Sequence, residues 1–231
     1  MIQQPKIPDI RRGLILGLEY RGSVSASGTV RDISGNENPA TLAGNAYLDN
    51  RGCHLDGDAD YLIYPGSDLW NFGSGDFAFC FWFNPSVEER SAIFADSSDY
   101  WLGMDFNWQG TRNLNAWASS TGSSWDILNA DSGGNGIGTI QIALNEWSFV
   151  VFARSGTSWK TYIDAVNDVA VVASGSLVNR SSANKYIGRW GIEEYGYYAL
   201  NGSIDDFRIY NRALTAPEIA VLYHRGKWRA A

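Results

Sequence analysis

The sequence predicts an all-β protein, a two-sheet antiparallel β-sandwich of jelly-roll type with one short helix near its C-terminus. Three observations predict it. Short apolar segments alternate with a period of two. Clusters of Gly, Ser, Asn and Asp separate them at short intervals. The composition suits strands and tight turns, with 14% aromatic residues, ten Trp and 25 Gly against six Pro in 231 residues. A hydrophobic content of 45% is enough for a substantial core, and the composition is not that of a disordered chain.

Residues 1–12, with Pro5 and Pro8 and mixed charge, are expected to form an extended N-terminal arm. From Leu14 onward strands and turns alternate. The clearest strand is Phe77–Phe83, in which Phe77, Phe79, Phe81 and Phe83 share one face and Ala78, Cys80 and Trp82 the other. Apolar residues on both faces mark a central strand. Trp147–Ala153 behaves in the same way, and Trp159, Thr161 and Ile163 share a face of the next strand. Turn clusters such as SGNENP, FGSGD, SSTGSS and RSGTS separate these segments. Thr215-Ala-Pro-Glu218 has the pattern of a capping box, with Ile219, Leu222 and Tyr223 following at helical spacing and Gly226 as a stop. The domain is therefore expected over 13–224, followed by a basic tail at 225–231. No repeat and no low-complexity linker divides it.

The net charge of −7 argues against a general nucleic-acid binder. Basic clusters lie at the ends, Lys6, Arg11 and Arg12 and then Arg225, Lys227 and Arg229; they read as solvated tails or as arms that dock on a partner. No apolar run approaches a membrane span, so no membrane insertion is expected. The segment MIQQPKIPDIRRG has no apolar core of a signal peptide. The expectation is a protein made and kept in a cytosol or released by lysis, unless a signal has been trimmed. Cys53 and Cys80 lie in apolar strand-like runs, where a buried free thiol is the default and a disulfide stays open. Two Cys with His54 and His224 far apart do not make a zinc site.

An ordered series of motifs resembles the concanavalin A-like, laminin-G-type domains. The series runs through Arg31-Asp-Ile-Ser-Gly-Asn36, His54-Leu-Asp-Gly-Asp-Ala-Asp-Tyr-Leu62, Asp76–Pro85, Glu146-Trp-Ser-Phe-Val-Val151, Thr161-Tyr-Ile-Asp-Ala165, Tyr186-Ile-Gly188 and Leu200–Leu214. Ala165 stands where the family usually has Gly. The resemblance covers roughly residues 14–224. It implies two sheets packed face to face, often with one calcium ion at the rim, in domains that bind sugars, proteins or lipids. Fold alone does not choose among those functions.

Two neighbouring acids, Asp205 and Asp206, stand inside the predicted strand of "GSIDDFRIYNRAL". By strict alternation Asp205 joins Phe207 and Ile209 on the core side, and Asp206 joins Arg208 and Tyr210 outside. An inward carboxylate needs backbone N–H groups or a cation. Both readings stand: a hydrogen-bonded acid, or a structural calcium with Asp32, Asn36, Asp205 or Asp206 as oxygen donors, which the resemblance supports. A catalytic reading fails on chemistry. Retaining glycoside hydrolysis needs two carboxylates about 5–5.5 Å apart across the bond, and no Glu flanks this stretch. Glu88-Glu89 and Glu193-Glu194 read as solvent-facing turn pairs. No Gly-x-Ser-x-Gly elbow occurs, and the histidines show no triad context.

A second candidate is an aromatic surface. Trp101, Trp108, Trp117 and Trp125 lie in or beside the polar stretch 96–126, and Trp190, Tyr195, Tyr197 and Tyr198 in or near RWGIEEYGYY. Such rings stack on the apolar C–H faces of sugars, and the alternative is that they cover the sheets. The ligand-binding set is drawn from Trp101, Trp108, Trp125, Trp190, Tyr195, Tyr197 and Tyr198. Asp131-Ser-Gly-Gly-Asn-Gly136 reads as a plain Gly-rich loop. The expected function is a non-enzymatic recognition or structural module. Its expected setting is a phage virion surface (capsid decoration, neck or tail), with virion proteins as partners of the arms and host glycans at the aromatic loops. The alternatives are a secreted carbohydrate-binding or adhesin module at a cell surface and, behind it, a divergent glycan hydrolase.

Overall fold

The computed structural model of the chain describes residues 8–18, 20, 28–97, 100–131, 135–191 and 198–230. In chain order the first strands are β1 (Leu14–Leu18), β2 (Thr29–Val30), β3 (Ala40–Ala43), β4 (Tyr47–Asp49), β5 (Gly52–Asp56), β6 (Tyr61–Tyr64), β7 (Phe77–Pro85) and β8 (Ser91–Asp96). They are followed by β9 (Leu102–Phe106), β10 (Leu114–Ala118), β11 (Ser148–Ser155), β12 (Ser158–Ile163), β13 (Val166–Val172), β14 (Lys185–Ile187) and β15 (Asn201–Tyr210), and then by helix α1 (Ala216–Gly226). One sheet runs β13-β12-β11-β7-β15-β5-β4, with β1 also on β15; the other runs β10-β9-β8-β14-β6-β3-β2. All pairings are antiparallel. This is the predicted sandwich.

The core lies between the sheets. Phe77, Phe79, Phe81 and Phe83 of β7 all point into it. Phe79 meets Phe94 of the opposite sheet with centroids 4.9 Å apart, and Phe81 stacks on Phe207 at 5.2 Å. The other face of β7 is apolar because α1 covers it: Ala78, Cys80 and Trp82 pack with Ile219 and Leu222, and Tyr223 stacks on Trp82 at 5.8 Å. The two thiols therefore lie on opposite faces of one sheet, and both are free and buried. Burial pushes both thiol pKa values up.

The capping box forms as read. The Thr215 backbone N–H and hydroxyl each donate to Glu218 Oε2 at 2.8 Å. Arg212 adds a bidentate pair to the same carboxylate, at 2.9 and 2.7 Å. Burial works against the Glu218 charge, yet these partners hold its pKa down to about 2.

Three expectations need correction. Residues 8–12 are not a free arm: Ile10 is buried with α1, its carbonyl accepts from the Tyr210 hydroxyl at 3.0 Å, and the Arg12 carbonyl accepts from Arg212 Nε at 2.8 Å. Residues 1–7 lie outside the described residues. The basic tail expected from 225 begins inside the helix, because α1 runs through Gly226 and a 3-10 turn continues over Lys227–Ala230. The helix itself ends at its expected stop, Gly226, with an αR Lys227 as its C-cap.

The third correction concerns Asp205. In the ladder Ile204 sits opposite Phe83 and Asp205 opposite Trp82, so Asp205 is on the helix side and Ile204 on the core side. Phe207 then faces the core again. Strict alternation fails because the register shifts between Asp205 and Arg208, with Asp206 at φ +51 as the extra residue of a bulge. A short polar side chain tolerates that left-handed conformation better than most residues. Its backbone N–H donates to Asp205 Oδ1 at 2.7 Å. Arg208 Nε and Nη2 both hold Asp206 Oδ1 at 2.7 Å. The bulge marks the point where β15 changes its neighbour on one edge, from β5 (Asn201–Ile204) to β1 (Phe207–Tyr210).

Candidate functional site

Alternation in β9 and β10 sends Leu102, Met104, Phe106, Leu114, Ala116 and Ala118 into the core. Gly103, Asp105, Asn115 and Trp117 are left on the outer face. The ladder sets Trp117 opposite Gly103 and Asn115 opposite Asp105. Gly103 is small for a reason: a β-carbon there would collide with the tip of the Trp190 ring. Trp125 comes in from the 119–126 loop, which Asp126 closes by accepting from the Ser120 N–H at 2.8 Å and from the Ser120 hydroxyl.

These elements bound a recess of about 150 Å³ lined by Arg90, Tyr100, Trp108, Trp117, Trp125, Asp131, Trp190 and Tyr198. Its rings touch one another in sequence. Tyr100 and Trp125 lie 4.9 Å apart, Trp125 and Trp117 5.7 Å, Trp117 and Trp108 5.5 Å, and Trp125 and Trp190 6.0 Å. Trp117 and Trp190 form the buried floor, while Tyr100, Trp108, Trp125 and Tyr198 remain half-exposed. The Trp108 indole N–H is buried without a hydrogen-bond partner among the described residues.

An ion pair lies under the rings. Arg90 Nε donates to Asp105 Oδ2 at 2.8 Å. The guanidinium carbon sits 3.7 Å from the Trp108 centroid and 3.9 Å from that of Tyr198. Asp105 is fully buried, and that burial pushes its pKa up to about 6 despite the Arg90 charge beside it.

Of the aromatic residues named from the sequence, the structure brings together Trp108, Trp117, Trp125, Trp190 and Tyr198, Trp117 having been left out of the ligand-binding set. Trp101 is a core residue, 1% exposed, stacked on Phe72 with centroids 6.0 Å apart and set 4.4 Å under the Lys185 ammonium. Tyr195 and Tyr197 lie outside the described residues. The sequence reading missed the Arg90–Asp105 pair and Tyr100, and it set Asp131 aside as part of a plain loop. Asp105 was findable, since an acid between Met104 and Phe106 in a strand must face away from the core. Its partner was not, because Arg90 stands just before β8, 15 residues away in the chain.

The four oxygen donors proposed for calcium are not gathered. Asp32 forms an isolated bridge with Leu18, which itself pairs with Phe207, so β1 separates Asp32 from the acid pair. Asp32 Oδ1 already accepts from the N–H groups of Gly17 and Ser34, and Oδ2 from the Ser34 hydroxyl and the Asn38 N–H, at 2.7–3.1 Å. Asn36 presents its Nδ2 donor to the Ile15 carbonyl at 3.0 Å. A guanidinium clamps Asp206. As they stand, these residues do not fit a calcium shell. Among the described residues no group of three or more His, Cys, Asp or Glu side chains is placed to hold a metal.

The structure does give His54 a context that the sequence hid. Its Nδ1 lies 2.9 Å from Ser203 Oγ and its Nε2 2.8 Å from Asp49 Oδ1. The same Asp49 oxygen accepts from the N–H groups of Arg51 and Gly52 and closes the β4–β5 turn. Ser203 is laddered on both sides, to His54 and to Asn84. The row Tyr47, His54 and Ser203 is a cross-strand hydrogen-bonded set, with Tyr47 stacked on the imidazole at 4.6 Å.

Comparison with known proteins agrees with this architecture. The model of a laminin-G-type family described as the concanavalin A-like lectin/glucanases superfamily matches residues 55–220. No curated protein sequence matches the chain. Among solved structures, the binding domain of botulinum neurotoxin serotype D/C is 16% identical with a TM-score of 0.70, over 95% of this chain and 54% of that one. The binding domain of botulinum neurotoxin DC in complex with rat synaptotagmin II is 16% identical, with a TM-score of 0.68 over 95% and 53%. The same domain in complex with SialylT is 17% identical, with a TM-score of 0.67 over 95% and 53%. The chain spans about half the length of these structures, and at such identities the likeness is one of fold.

Proposed function

We propose that this chain, which belongs to the concanavalin A-like lectin/glucanases superfamily, is a non-enzymatic binding module for glycans, and that its site is the aromatic recess on the outer face of the β8–β9–β10 sheet. One observation carries the reading: six Trp and Tyr rings converge on a concave patch that also holds Arg90 and Asp131. Half-exposed rings offer stacking faces to the C–H side of a pyranose, while the Arg90 and Asp131 side chains supply hydrogen bonds to hydroxyls. The recess is small enough for one or two sugar units and contains no nucleophile paired with a base. That solved relatives in fold include neurotoxin binding domains captured with SialylT and with a synaptotagmin supports a recognition role.

The test is a glycan array followed by titration of tryptophan fluorescence with the best glycan. Trp125→Ala and Trp108→Ala should each lower affinity at least tenfold with an unchanged melting temperature. Binding that survives both substitutions refutes the recess as the site. A setting on a phage virion, or on a secreted or cell-surface protein, is a separate expectation from the sequence, and co-purification with virus particles tests it.

A further inference from the structure

We infer that the recess selects saccharides bearing a carboxylate, a uronic or nonulosonic acid residue, and that Arg90 is the residue that reads it; this rests on the glycan-binding reading above. The inference starts from how Arg90 is held. Its Nε is fixed on Asp105 Oδ2 at 2.8 Å, and its plane is gripped between Trp108 and Tyr198, 3.7 and 3.9 Å from their centroids. An arginine side chain ordinarily loses much rotamer freedom on binding an anion. Here that freedom is already gone.

Arg90 Nη1 and Nη2 make no hydrogen bond to any described residue, although the side chain is only 18% exposed and lines the recess. A guanidinium carries five N–H donors in a fork. Four of them meet no acceptor among the described residues, and an acceptor entering the recess can take them up. The acceptor whose geometry matches a planar fork is a carboxylate, through two parallel charge-assisted bonds. Neutral hydroxyls engage the same donors one at a time and more weakly.

Charge alone does not draw an anion here. Asp105 balances Arg90, and Asp131 at the mouth is acidic but exposed and screened. Selectivity therefore arises from directed hydrogen bonds at a pre-oriented fork flanked by rings that stack on the rest of the sugar. The Asp131 carboxylate is left to accept from hydroxyls.

The test uses matched ligands on the full chain. Oligosaccharides ending in glucuronic acid or N-acetylneuraminic acid are titrated beside their methyl esters, which keep every ring contact and lose the anion. The unsubstituted protein should bind the acids at least tenfold more tightly than the esters. Arg90→Lys keeps the charge without the fork, and it should weaken binding of the acids far more than binding of the esters, removing most of that preference. Equal affinity for acid and ester, both sensitive to Trp125→Ala, overturns the inference and leaves the glycan-binding reading standing. A preference that persists unchanged in Arg90→Lys also overturns it. No binding of either ligand class, with a glycan array blank throughout, overturns both.

Discussion

Replacing Asp105 by Asn gives a quantitative check on the electrostatics beneath the recess. An aspartate beside an arginine ordinarily has its pKa lowered, because the neighbouring charge favours the ionised form. Asp105 goes the other way, since its complete burial outweighs Arg90, and its pKa is pushed from 3.8 to about 6. The native state therefore holds this proton more tightly than the unfolded chain does. The resulting stabilisation is fully present below about pH 3.8 and is lost as pH rises through about 6. A displacement of that size corresponds to about 3 kcal/mol. Denaturant unfolding of the parent protein and of Asp105→Asn at intervals from pH 7.5 to 3.5 measures it, because most other titrations cancel in the difference. The parent should gain about 3 kcal/mol relative to the variant as pH falls, with most of the change between pH 6 and 4. A carbon-13 titration of the Asp105 carboxyl should show a midpoint near 6. A difference that stays flat, or that grows in favour of the variant on acidification, refutes the claim that burial outweighs the ion pair.

Two further outcomes follow from the region around the acid pair. Asp206→Val places a β-branched residue at φ +51 and removes the anion held by Arg208, and should lower stability by about 2 kcal/mol or more; Asp206→Asn, which keeps the tolerance for that conformation, should lose clearly less. Equal losses in denaturant melts would show that the backbone of the bulge is not what the residue supports. Thermal melts with and without a chelator should coincide, because Asp32 is already filled by protein donors; a drop of several degrees on chelation would reveal a bound ion and a different arrangement of that turn.

What the sequence made legible, and what it concealed, differ by the range of the interaction. The alternation of Phe77, Phe79, Phe81 and Phe83 is local, and it gave both the strand and its core face. The Thr215–Glu218 box is also local and appears as read. The side on which Asp205 lies was miscounted because one left-handed residue, Asp206, resets the alternation, and nothing in an Asp-Asp pair announces which member bulges. Trp101 was misplaced because its polar neighbours suggested a loop, whereas its ring turns inward against Phe72. Trp108, Trp125, Trp190 and Tyr198 could be suspected from aromatic enrichment alone. That they converge around Arg90 depends on the register of β8, β9 and β10 and on the absence of a side chain at Gly103. The same holds for His54, whose neighbours Asp49 and Ser203 become neighbours only once β4, β5 and β15 are aligned.

The packing of Ile10 against α1 has a consequence for attachment. β1 lies antiparallel on β15, and the residues just before the one and just after the other meet on the helix-covered side of the sandwich. The recess opens on the opposite side. An attachment made at residues 8–12 or at the end of α1 would leave the rings facing away from it. A row of such modules on one support would present their recesses outward together. Weak contacts to a repeating glycan could then add up through effective concentration, with no change in any single site.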